Sequence, residues 1–255
     1  MFMSRFMEGS PSLSYEKSVS QYTNQDFKQA LKHSLVFYFT FTILLYILLI
    51  GLDTVGFLSD DVGSFDYELY LIGLMICGCF VLCLFRTRSI RLESVGVNRY
   101  NLKRVLIFCV VTVLAVVVLD IVSGVFGSLS FVAIIIIFLF AWIEDMYFVG
   151  YLQTRLRGGI NRRWLTLIVG ASIFTLFHTS SLVASGFHIL HISLFFLSYY
   201  VYATLYRRFN SIWPCTLVHG LSNFLRFSGF GLVSLGLFAL ALVVSYVLKG
   251  VWNGE

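Results

Sequence analysis

Charge is scarce in this chain, and proline is almost missing. Asp, Glu, Lys and Arg make up 12% of the 255 residues, and there are two prolines. A soluble domain of this length needs far more polar surface to cover its core, so a soluble globular fold is excluded. Cysteine is present but unorganised. Cys77, Cys79, Cys83, Cys109 and Cys215 all lie inside apolar runs, where a thiol behaves as a small hydrophobe, so no disulfide framework is expected. The Cys77/Cys79/Cys83 group has no histidine or further cysteine beside it and is read as helix packing, not as a metal site. No apolar stretch comes before residue 34, so no cleavable signal peptide is expected.

Apolar sequence is what the chain has in quantity, at 58% of residues. Eight apolar segments lie near 34–52, 68–85, 105–123, 129–150, 164–182, 188–206, 211–227 and 230–248. Several reach the ~18–20 residues that carry a helix across about 30 Å of hydrocarbon. The expected fold is all-α: a polytopic membrane bundle of about eight transmembrane helices. Residues 1–33 are expected to form a cytoplasmic tail, with a surface helix over Tyr22 to His33, and residues 34–250 a single transmembrane domain. The fourth segment is expected to run on through Gln153 to Arg157 until Gly158-Gly159 stops it.

The net charge of +5 could suggest a nucleic-acid ligand, but its distribution argues against one. Basic residues fall in alternate connections: Arg5, Lys17, Lys28 and Lys32 before segment one; Arg86, Arg88, Arg91, Arg99, Lys103 and Arg104 after segment two. Arg155, Arg157, Arg162 and Arg163 follow segment four, Arg207 and Arg208 follow segment six, and Lys249 follows segment eight. The connection after segment one carries Asp53, Asp60, Asp61 and Asp66 instead, and only Arg226 breaks the alternation. Such a pattern reports orientation in a lipid bilayer, with both termini cytoplasmic. Short basic loops and no eukaryotic targeting signal point to a bacterial plasma membrane. Pro214, near the start of segment seven, sits where a helix tolerates proline.

Few polar groups inside the apolar segments can do chemistry: Glu144, Asp145, His178, His219, Asn223 and Asp120. A carboxylate in the bilayer core costs about 2.5–3.5 kcal/mol, so an adjacent acid pair there marks a function. At ~1.5 Å per residue, Glu144 stands about 21 Å above Gly158 and His178 about 22 Å above Arg163. On the same scale His219 and Asn223 stand about 14 and 20 Å above Asn210. One level inside the bundle can therefore hold all four, between core helices four, five and seven. His219 and Asn223 share a helix face, as do Phe174 and His178. A carboxylate that takes a proton from water, an imidazole that holds the water, and a His–Asn pair facing an oxyanion make a hydrolytic set. Each of these groups alone could instead be a helix-bridging hydrogen bond. Asp120 is read as interfacial or bridging. His188 and His191 have ligand spacing but no acidic partner nearby, and are read as interfacial side chains.

The motifs are recognisable together. Glu144-Asp145-Met146-Tyr147-Phe148-Val149, Phe174-Thr175-Leu176-Phe177-His178 and His219-Gly220-Leu221-Ser222-Asn223 resemble the CPBP family of intramembrane proteases. That family includes CAAX prenyl endopeptidases and Abi-type bacteriocin self-immunity proteins. Its pattern is Glu-Glu-x-x-x-Arg, then Phe-x-x-x-His, then His-x-x-x-Asn. Asn210-Ser211-Ile212-Trp213-Pro214 also looks like the family's approach to the last motif helix, and the resemblance covers about residues 129–225. It implies an intramembrane endopeptidase in which Glu144 and His178 activate water while His219 and Asn223 stabilise the oxyanion. Asp145 and Phe174 would play supporting parts. No cofactor is fixed: Glu144, His178 and His219 would be the ligands if Zn2+ is bound, and a metal-free glutamate mechanism serves equally. The implied substrate is a peptide or membrane protein.

Four positions depart from the family pattern. Asp145 replaces the second Glu, Val149 replaces the Arg, and Tyr199 and Ala203 stand where glycine is common. The loss of the Arg opens an alternative: a catalytically impaired member acting as a scaffold, a sensor-kinase partner or a bacteriocin-immunity protein. A transporter or channel is disfavoured, since no internal repeat with paired helix breaks is visible.

Overall fold

The computed structural model describes residues 24–54, 62–86, 96, 102–123, 131–160, 162–179, 188–227 and 233–253. Every element among them is helical, and no strand occurs among them. In chain order they are α1 (Asn24–Thr54), α2 (Val62–Arg86), α3 (Leu102–Ser123) and α4 (Phe131–Asp145). A π-helix (Met146–Leu152) joins α4 without interruption to α5 (Gln153–Gly159). Then come α6 (Arg163–Phe177), α7 (Ile189–Phe209), α8 (Trp213–Phe227) and α9 (Val233–Asn253). Each of the eight apolar segments thus lies on a helix, with α4, the π-helix and α5 together forming segment four. Among the described residues, two stretches are long and apolar enough to cross a membrane, Ile134–Gly159 and Ile189–Phe209.

Several boundaries differ from expectation. The surface helix expected over Tyr22 to His33 is instead the start of α1, which runs on into segment one. Its first turns are anchored: Ala30 is fully buried and Phe27 lies over the backbone of Gly159. Segment five, expected to reach residue 182, gives a helix that ends at Phe177. His178 ends it by turning its ring back to the Phe174 carbonyl, an acceptor the last helical turn leaves open. The expected stop of segment four is met: α5 ends at Gly159 and Ile160 is extended. Residues 1–23, Asp60, Asp61, Arg88, Arg91, Arg99, Leu129 and the expected end of segment five at 180–182 lie outside the described residues.

α8 is the centre of the packing and lies against α4, α7 and α9. Pro214 occupies its first turn, after a left-handed Asn210 closes α7. Close approach of α8 to α4 depends on Gly220, because a Cβ there would fall within the Phe138 ring. Gly220→Val is expected to force the two helices apart and destabilise the fold by about 1–3 kcal/mol. A lowered melting temperature in detergent checks this; an unchanged one would mean that Phe138 moves aside freely.

On the other side, α1 closes over the π-helix through polar contacts. Tyr147 donates to Ser34 Oγ at 2.8 Å, and His33 Nδ1 meets the Tyr151 hydroxyl at 2.5 Å. The Arg155 guanidinium lies 4.2 Å above the Tyr151 ring. Burial holds the His33 ring, just before the first apolar segment, below its ordinary pKa of 6.5, and the charges of Arg155 and Lys32 act in the same direction. Neutral His33 therefore favours the folded state. Its contribution is present above the unfolded value and is lost as pH falls through the lowered folded one. Melting curves at pH 7.5 and at pH 5 are expected to show a smaller acid-induced drop for His33→Asn than for wild type.

Candidate active site

Apolar residues carry α4 through the bundle until Glu144 and Asp145, and both carboxyl groups are buried. The π-helix begins directly after them. Its hydrogen bonds reach back five residues, as in Gln153 N–H to Phe148 O. Side chains tie down its carbonyls: Tyr199 donates to Phe148 O at 3.5 Å, and Thr154 Oγ donates to Gly150 O. Tyr199 has room because Gly170 of α6 faces it; a Cβ on Gly170 would overlap the Tyr199 hydroxyl. Ala203 offers its carbonyl to Gln153 Nε2 at 3.5 Å. At Tyr199 the larger side chain thus becomes a tie to the acid-bearing rod, whereas the tie at Ala203 is made by the backbone.

Two imidazoles converge on Glu144. Oε1 lies 3.6 Å from His178 Nε2, and Oε2 lies 3.5 Å from His219 Nε2. The other nitrogen of each ring is held by the protein. His178 Nδ1 donates to Phe174 O at 2.9 Å, because a carbonyl can only accept. His219 Nδ1 is 3.1 Å from Asp145 Oδ1. His219 therefore bridges the acid pair, with one carboxylate at each ring nitrogen. Fixing one nitrogen leaves the other aimed at the reacting position, which is the logic of an orienting partner behind a histidine. His178 has 16% of its side chain exposed while Glu144 has 1%.

Of the sequence-predicted residues, Glu144, Asp145, His178 and His219 stand together. Phe174 packs beside them, with its ring 4.5 Å from that of His178 and 6.3 Å from that of His219. Asn223 is buried one turn beyond His219 on α8. Val149 is fully buried within the π-helix. His188 and His191 lie apart from the site at the start of α7, with rings 6.0 Å apart. Asp120 belongs to α3, and its side chain lies outside the described residues. Cys77 is buried, whereas Cys79 and Cys83 are exposed.

Glu144, His178 and His219, one carboxylate and two imidazoles, are donors of the kinds zinc takes, and among the described residues no group of three or more His, Cys, Asp or Glu is arranged to hold a metal ion.

Sequence reasoning missed the rings that hold these imidazoles. Phe195 stacks on His178 at 4.4 Å and 29°, and Tyr202 stacks on His219 at 4.6 Å and 22°. A signal was there to be read: Phe195, Tyr199, Tyr202 and Tyr206 recur every three or four residues on α7, and all four are buried.

Residues 126–225 match the family model described as Type II CAAX prenyl endopeptidase Rce1-like, the family type that the three motifs resemble. The matched stretch contains Glu144, Asp145, Phe174, His178, His219 and Asn223. Members of the family so described are membrane-embedded proteases. No curated protein and no solved structure matches the chain.

Proposed function

We propose that this chain is an intramembrane endopeptidase that hydrolyses a peptide or membrane-protein substrate. The observation that carries the reading is the buried Glu144 carboxylate between two imidazole nitrogens at 3.5 and 3.6 Å. Water held between Glu144 and His178 gives its proton to the carboxylate as its oxygen attacks the scissile carbonyl carbon. Negative charge then gathers on the carbonyl oxygen, which Asn223 and a His219 ring with a proton on each nitrogen face as hydrogen-bond donors. Collapse of this adduct breaks the C–N bond, and Glu144 returns its proton to the departing amine. Asp145 holds His219 from behind and Phe174 packs between the two histidines.

The protein is further proposed to cross a bacterial plasma membrane eight times, with cytoplasmic termini, residues 1–33 as the tail and 34–250 as the membrane domain. The alternation of basic connections supports this topology. The lipid bilayer is its medium, and nucleic acid is not a partner.

Cleavage by purified protein in lipid, with Glu144→Gln alongside wild type, tests the reading. Product from wild type alone supports it, and equal product from both overturns it. One observation favours a second reading. Val149 places a buried apolar group where the family motif has a cation, which suits a non-catalytic scaffold or a membrane-protein partner. A scaffold would keep its cellular phenotype in folded Glu144→Gln, whereas a protease would lose it.

A further inference from the structure

His219 has a carboxylate at each ring nitrogen. Tyr202 covers a face of the same ring. It is 1% exposed, and its ring lies nearly parallel to that of His219. Two further contacts tie Tyr202 to the same helix. Its hydroxyl lies 3.4 Å from Ser222 Oγ, and its carbonyl accepts from Cys215 Sγ at 3.2 Å. Cys215, His219 and Ser222 are spaced by four and three residues and form one face of α8. Behind Tyr202, Phe238 of α9 meets its ring edge-on at 5.9 Å.

We propose that Tyr202 is the positioning residue for the oxyanion side of the site. Its ring sets the plane of His219. Its hydroxyl, through Ser222, sets the rotation of the α8 turn that carries Asn223. An ordinary core aromatic would need only bulk at this place, but Tyr202 grips α8 at three levels through three kinds of contact. The two halves separate by substitution: Tyr202→Leu removes the flat face, and Tyr202→Phe removes only the hydroxyl. The proposal rests on the reading of His219 and Asn223 as the oxyanion pair, so its test includes a readout that needs no turnover.

That readout is the nitrogen-15 NMR spectrum of the His219 ring and the Asn223 side-chain amide, in full-length protein in lipid nanodiscs. Wild type is expected to give one ordered His219 ring with a proton on each nitrogen. Tyr202→Leu should give an exchange-averaged ring. Tyr202→Phe and Ser222→Ala should leave the His219 ring signals in place and shift the Asn223 amide. An unchanged His219 spectrum in Tyr202→Leu, or an unchanged Asn223 amide in both milder variants, overturns the proposal. Should Tyr202→Leu fail to fold, the two milder variants decide it. In cleavage assays, Tyr202→Leu is expected to lower kcat by about ten- to a hundredfold with KM held within about twofold. A wild type that cuts nothing would refute the protease reading while leaving the spectral result to judge the positioning role.

Discussion

Turnover by Glu144→Gln protein is expected to fall by about 10²–10⁴, the usual contribution of a positioned general base. The substitution is close to isosteric, so the packing around a buried side chain is kept. An amide in that place can still meet His178 and His219, which lie 3.6 and 3.5 Å from the two carboxylate oxygens. What it cannot do is accept a proton from water near neutral pH. The loss should therefore appear in kcat and kcat/KM together, with KM almost unchanged. A loss confined to KM would assign Glu144 to substrate binding instead.

Asp145→Asn is expected to have the next largest effect, a fall in kcat of about 10²–10⁴. The carboxylate that orients the histidine of a serine-protease triad is worth about 10⁴, and Asp145 stands in the same relation to His219, at 3.1 Å from Nδ1. An asparagine carries no charge to balance a His219 ring with a proton on each nitrogen, and it can turn its NH₂ toward Nδ1 in place of an acceptor. A His219 ring without a proton on the nitrogen facing Glu144 cannot donate to the oxyanion. Asp145→Glu keeps the charge and should lose far less. The ratio of kcat between the two variants is the measurement. If they prove equally impaired, Asp145 acts through packing and not through its charge.

Helical content and the grouping of Glu144, Asp145, His178 and His219 could be read from the sequence for physical reasons. Apolar runs of membrane length leave little choice of secondary structure, and carboxylates and imidazoles in such runs need one another. Other features could not be read. The turn of the His178 ring back to Phe174 O depends on where α6 ends, and helix ends are set by local capping more than by hydropathy. The stacking of Tyr202 on His219 depends on how α7 crosses α8, which no spacing within one helix reveals. The exchange of bulk between Tyr199 and Gly170 also spans two helices. Each of these residues, taken alone, reads as a misfit or a plain core position.

The seven-residue π-helix after Asp145 has a consequence for how insertions and deletions would act. A π-helix accommodates extra chain within an α-helix, so it works as a phase shifter between the rod's two halves. One residue is worth about 100° of helical azimuth. Delete one residue between Met146 and Leu152, and α-helical phase can be restored while every polar side chain of the site is retained. The acid pair would then face a different bearing from α5 and its arginines. Either α4 must turn Glu144 and Asp145 away from His178 and His219, or α5 must turn Arg155 off Tyr151. A sequence with all motif residues in order can thus lose the site through a miscount in the segment that follows the acids.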